Sequence, residues 1–199
     1  MVSSTTNAAE ITQKHTVKNT NAVQAGVGGI GSAGTGTITV AGVSGTVTKA
    51  YLFWHGIGSP AYNNASVSIN GNAVTGVSQG DSGTNCWGPG GSRTYLADVT
   101  SRVTGNGAYA LSGLASGAEG NNANGASLAV FFNDGNNSNN RDFVIFSGND
   151  STHEGTNGDG DGWSASLPGI AYAGGAVRAT LHVADGQSFG ANDDGSLAF

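Results

Sequence analysis

The segment Asn149-Asp150-Ser151-Thr152-His153-Glu154-Gly155-Thr156-Asn157-Gly158-Asp159-Gly160-Asp161-Gly162-Trp163 has the residue types of a cation-binding loop. Ca²⁺ takes about six to eight oxygen ligands. Alternation of Asp with Gly lets a backbone fold tightly round one ion while its own carbonyls complete the shell. Asp150, Asp159 and Asp161 are therefore candidate ligands, and calcium is the expected cofactor. Asp193 and Asp194, following Asp185-Gly186-Gln187, form a second acidic turn of the same kind. The spacing is not that of an EF-hand, which needs Asp-x-Asp-x-Asp-Gly and a bidentate Glu at its twelfth position.

Nucleophilic and general-base chemistry has fewer candidates. The four histidines, His15, His55, His153 and His182, form no two-His metal motif. His55 closes a hydrophobic run and precedes Gly56, which places an imidazole at a sheet rim. His55, His153 and Asp150 with a loop serine supply the parts of a hydrolytic centre, but no spacing selects one and no Gly-x-Ser-x-Gly elbow is present. Cys86 has no basic neighbour to lower its pKa. Gly26-Val27-Gly28-Gly29-Ile30-Gly31 matches a dinucleotide loop loosely and lacks the surrounding βαβ pattern. Trp87 and Trp163 lie in polar loops, where an indole stacks on a sugar ring or a partner, or else pins its own loop. Trp87, Trp163 and His55 are the candidate ligand-binding residues, and a non-enzymatic role is the better-supported reading.

These side chains must be held by strands. Glycine supplies 35 of 199 residues, against a usual share of roughly 7 %, and each glycine costs a helix interior about 1 kcal/mol relative to alanine. Short β-like runs recur instead between Gly/Asn/Ser/Asp clusters, as in an antiparallel sandwich. Val47 to Trp54 contains the most hydrophobic run, expected as a central strand buried on both faces. Asn70-Gly71 between Ala65–Ile69 and Asn72–Val77 predicts a type I′ hairpin. Further strands are expected near residues 11–17, 37–40, 93–98, 107–114, 126–132, 142–148 and 176–183, with one helical turn at 98–103 and a long loop at 79–91.

The net charge is −6, with nine of the 13 acidic residues beyond position 130. The few basic residues are scattered, so no nucleic-acid partner is expected. No run of 18 apolar residues occurs, so no membrane insertion is expected. Met1 to Thr6 lacks the charged and apolar regions of a signal peptide. A single cysteine forms no internal disulfide.

Lys49-Ala50-Tyr51-Leu52-Phe53-Trp54-His55-Gly56, Asp98-Val99-Thr100-Ser101-Arg102-Val103, Gly107-Ala108-Tyr109, Gly125-Ala126-Ser127-Leu128 and Arg141-Asp142-Phe143-Val144-Ile145 follow one another in order. They resemble a group of uncharacterised secreted or surface-attached bacterial and archaeal β-sandwich domains with an A-x-L-x-W-x-G strand followed by D-V-T-x-x-V, G-x-Y and G-A-S-L. The resemblance covers residues 45–199 and implies an extracellular or cell-surface module with no catalytic residues to carry over. His55 and the acidic loop depart from that pattern.

The expected architecture is all-β, an antiparallel β-sandwich of jelly-roll type at 45–199. Residues 1–44 precede it as an extension, an edge or donor strand with a Gly-rich linker. The expected function is an extracellular structural or interaction module, in one form a filament or matrix subunit with calcium-ordered loops. Its partners would be other copies of itself or envelope and matrix proteins. A calcium-dependent carbohydrate-binding module that binds glycans is one alternative, and a secreted hydrolase centred on His55 and His153 is another.

Overall fold

The computed structural model describes residues 11–59, 61–82, 90–117, 122–149 and 167–184. Ten strands follow in order: β1 (Gln13–Gly28), β2 (Gly36–Val40), β3 (Thr46–Gly58), β4 (Ser66–Ile69), β5 (Asn72–Thr75), β6 (Val77–Ser82), β7 (Gly91–Asp98), β8 (Gly107–Ser112), β9 (Asn122–Asn133) and β10 (Arg141–Ser147). A 3-10 turn at Thr100–Arg102 falls where one helical turn is expected. The strands form a six-stranded antiparallel sheet in the order β10-β1-β9-β3-β7-β6 and a four-stranded one in the order β2-β8-β4-β5. The antiparallel sandwich is thus observed; the strand order does not by itself single out jelly-roll connectivity. No helix of the described residues is long and apolar enough to cross a membrane.

Period-2 alternation sends one side of each strand into the space between the sheets. Ala50, Leu52 and Trp54 of β3, Tyr95 and Ala97 of β7, and Leu128 and Val130 of β9 meet Ile38 and Val40 of β2, Ile69 of β4 and Tyr109 and Leu111 of β8 there. Trp54 is 1 % exposed and stacks on Tyr95 at 5.4 Å between ring centroids. The indole Nε1–H is satisfied by the Asn64 carbonyl at 2.9 Å. The Asn64 side chain takes the Ala115 N–H at 2.8 Å and donates to the Gly113 carbonyl at 2.9 Å, tying the chain between β3 and β4 to the segment after β8. At Gly76 the Trp54 ring comes within 2.3 Å of where a Cβ would stand, so no side chain fits as the chain passes from β5 to β6. The hairpin between β4 and β5 has Asn70 at φ 48° and Gly71 at φ 75°, the pair of positive values a type I′ turn requires.

The six-stranded sheet is curled. Residues Asn21 to Gly28 of β1 pair with β9, while residues Gln13 to Thr20 pair with β10. Between these stretches the register shifts and Asn19 adopts φ 52°, a conformation asparagine tolerates better than most residues. The bend is held by the Asp142 carboxylate, which accepts the Asn19 N–H at 2.9 Å, and by Asn140, which donates to the Asn19 carbonyl at 3.0 Å. Beyond it, β10 and the first half of β1 form a two-stranded ribbon that crosses the sheet's outer face. His15 lies 5.7 Å from Tyr51, and Phe143 lies 5.4 Å from Phe131, edge to face.

Several expectations change, among them the loop expected from residue 79, since Gln79 to Ser82 belong to β6. β3 is central, paired with both β7 and β9, but its outer-facing Tyr51 and Phe53 are only half-buried, because the ribbon covers that face unevenly. Strand structure also runs through Gly26 and Gly28, where a linker is expected, and β1 lies inside the sheet rather than at its edge. Glycines at 26 and 28 leave the pairing intact because the backbone, not a side chain, makes the ladder to Ser127 and Gly125.

Candidate functional site

Of the candidate site residues, the structure describes His55 alone. Asp150, Asp159, Asp161, Asp193 and Asp194, together with Trp87, Trp163, Cys86 and His153, lie outside the described residues. His55 sits on the outer face of β3, opposite Thr94 of β7 and Gly125 of β9, and is half-buried. It lies on the side of β3 that also carries Tyr51 and Phe53, the face that the ribbon crosses, and within the strand rather than at the rim expected from the sequence. No group of three or more His, Cys, Asp or Glu able to hold a metal occurs among the described residues.

The interior beneath the ribbon is lined differently from the main core. Phe131, Ala129, Leu96 and Ile57 are buried in it, beside Tyr51 and Phe143. Its far side is closed by polar side chains. Ser147, the last residue of β10, donates to Gln79 of β6 at 2.8 Å, so the two edge strands of the six-stranded sheet meet through a buried hydrogen bond. Asn149 follows with its amide donating to the Ser92 hydroxyl at 2.8 Å and its carbonyl oxygen accepting from Thr94 at 3.0 Å. Gln79, Ser92, Ser147 and Asn149 are all buried. Buried polar groups with their partners in place fix geometry, whereas one left alone costs about 1–3 kcal/mol, so this set is a clasp that holds the curl shut. Gln79 reaches inward because the register slips between Ser78 and Gly80. The His15 Nε2 is buried beneath the ribbon without a hydrogen-bond partner.

Outside the clasp, charged side chains are paired at the surface. Lys49 donates to Asp98 at 2.6 Å. Burial pushes the Asp98 carboxyl up, and hydrogen bonds from Lys49 and Thr100 outweigh it, holding the group below the usual carboxylate range. Arg93 pairs with Asp81 and also donates to the Tyr62 carbonyl at 2.9 Å, bracing the start of β7. Burial pushes the Tyr62 hydroxyl above its ordinary value, and it stays protonated.

A third region has the opposite character. Residues 167–183 run exposed along their whole length, with Ile170 at 52 %, Tyr172 at 61 % and Val177 at 73 % exposure. Their one side-chain tether to a strand among the described residues is Lys14 on β1, which donates to the Gly169 carbonyl at 2.5 Å. Residues 176–183, expected from their alternation to be a strand, pair with no described strand.

No family model, curated protein or solved structure matches the chain.

Proposed function

We propose that this chain is a structural and interaction module of an extracellular or cell-surface assembly, not an enzyme. The exposed apolar segment 167–183 is its working surface. One observation carries the reading: Leu167, Ile170, Tyr172, Val177, Leu181 and Val183 stand 45–73 % exposed on one short stretch. An apolar concentration of this kind on a soluble surface marks a contact site, since each such side chain returns roughly 1.5–3 kcal/mol when fully buried. Support also comes from the polar residues within the sandwich, where the clasp and the ion pairs bind strands to one another. The outer face of the four-stranded sheet, with Thr37, Thr39, Ala108, Ala110 and Ser112 exposed and no charge among them, offers a neighbour a surface that costs little side-chain entropy to cover. The order of sequence segments shared with surface-attached β-sandwich domains supports the extracellular placing. The Asp/Gly alternation at 150–161 supports calcium as the ion that orders the late loops.

The partners are copies of the chain or neighbouring envelope and matrix proteins. Sedimentation velocity of the full chain over a concentration series, with calcium and with chelator, tests the reading. Association that weakens in the Val177→Ser, Leu181→Ser variant is expected. A monomer at every concentration in both buffers would contradict self-assembly.

A further inference from the structure

Building on that reading, we infer that residues 176–183 act as a donated β-strand, adding to the edge that β5 presents among the described residues, in a second copy of this chain. Ala176-Val177-Arg178-Ala179-Thr180-Leu181-His182-Val183 alternates apolar and polar positions, the pattern of a strand with one buried face. Its apolar side chains instead face solvent, with Val177 at 73 %, Leu181 at 49 % and Val183 at 48 % exposure. A strand that aligns its apolar side with a core satisfies its backbone only by joining a sheet edge.

The described residues have four edge strands. β6 and β10 are joined to each other through Gln79 and Ser147. β2 is backed by β1, where Gly36 lies against Val27 and Ile30. Among the described residues β5 pairs only with β4, has no charged residue or proline of its own, with Arg102 reaching only the Asn72 side chain at its start, and leaves its inward Val74 only partly buried. Charge and proline are the usual devices that keep an edge from pairing, and an added strand would complete the cover over Val74.

The chain's own β5 is a poor acceptor. The segment starts at the ribbon, where Lys14 holds the Gly169 carbonyl. β5 belongs to the far sheet, about two layer spacings of roughly 10 Å away. The intervening residues are folded back, with Tyr172 N–H donating to Ile170 O at 3.1 Å, Tyr172 Oη to Gly175 O at 2.6 Å, and positive φ at Gly174 and Gly175. A second copy has no such limit.

The test uses the full chain carrying Cys86→Ser. One preparation bears Ala73→Cys on the outward face of β5 and the other Thr180→Cys on the outward face of the donated strand, and the two are mixed with a short bismaleimide. A covalent dimer joining the two preparations is expected in several-fold excess over either alone. It should be lost when Val177→Asp and Leu181→Asp are added to the Thr180→Cys chain, with circular dichroism unchanged. If association persists in the Asp variant and no mixed dimer forms, strand donation is wrong while self-assembly stands. Efficient intramolecular linkage in a chain bearing both cysteines at high dilution would place the strand on its own sheet and also overturn the inference. A monomer at all concentrations overturns both readings.

Discussion

The first half of β1 and the segment 176–183 are both short alternating stretches with a basic residue and a histidine among them, yet they end in opposite situations. In β1, His15 rests on Tyr51, and residues 13–20 pair with β10 before the same strand continues along β9. In 176–183 the alternation is as clear, but the described residues contain no partner strand and Val177 is 73 % exposed. Alternation reports the capacity to line one face of a sheet. Whether a partner exists depends on the rest of the fold, and among the described residues one segment finds two neighbours while the other finds none.

An acidic substitution separates the two regions most strongly. Val23, where the same strand continues along β9, packs against the main core beside Val130, so Val23→Asp is expected to destabilise the fold by about 3 kcal/mol, in the range of a charge forced against a core. Val177→Asp should leave the denaturation midpoint of the monomer unchanged. Equal losses in chemical denaturation would mean that 176–183 is already buried and would erase the distinction.

The clasp is the next lever, because it is what keeps the β1–β10 ribbon on the sheet. Asn149→Ala removes bonds to Ser92 and Thr94 and leaves buried partners unpaired, a cost of about 1–3 kcal/mol in urea unfolding. An unaffected midpoint would show that aromatic contacts alone hold the ribbon.

Smaller is the effect of Asp98, on the sheet's surface. Its folded pKa is depressed, so its contribution is present above the ordinary carboxylate value near 3.9 and fades as pH falls through the lower folded value. Both partners are exposed, which limits Asp98→Asn to about 0–1 kcal/mol at neutral pH. The gap between variant and parent should close in acid; a gap that widens there would reverse the sign. Lys14→Ala, which frees the Gly169 carbonyl from β1, should shift the midpoint least and instead hasten proteolysis within 167–184. Unchanged cleavage would show that the tether does not restrain the segment.

Much of the sandwich was legible before the structure. The Asn70-Gly71 turn is dictated by two positive φ values that few other pairs accept, and the Tyr51 to Trp54 run had to lie near the sheet's centre. β6 was not legible, since Val77-Ser78-Gln79-Gly80-Asp81-Ser82 has too few apolar positions to show a period and owes its pairing to β7. The clasp was equally hidden. Asn149 and Gln79 are ordinary loop residues until the bend at Asn19 carries β10 across the sheet to them. Of the candidate site residues only His55 lies among the described ones, and it sits within β3, three residues before the strand ends, whereas the sequence reading puts it at the sheet rim. Residues 176–183 read as a strand from their alternation, yet they pair with no strand among the described residues and their apolar side chains stand exposed.

Amide hydrogen exchange of the full chain, followed across a concentration series, tests strand donation most directly. Residues 176–183 should exchange freely in dilute solution and gain protection as concentration rises, together with the amides of β5. Strong protection of 176–183 in dilute monomer, or free exchange in the assembled state, would contradict it.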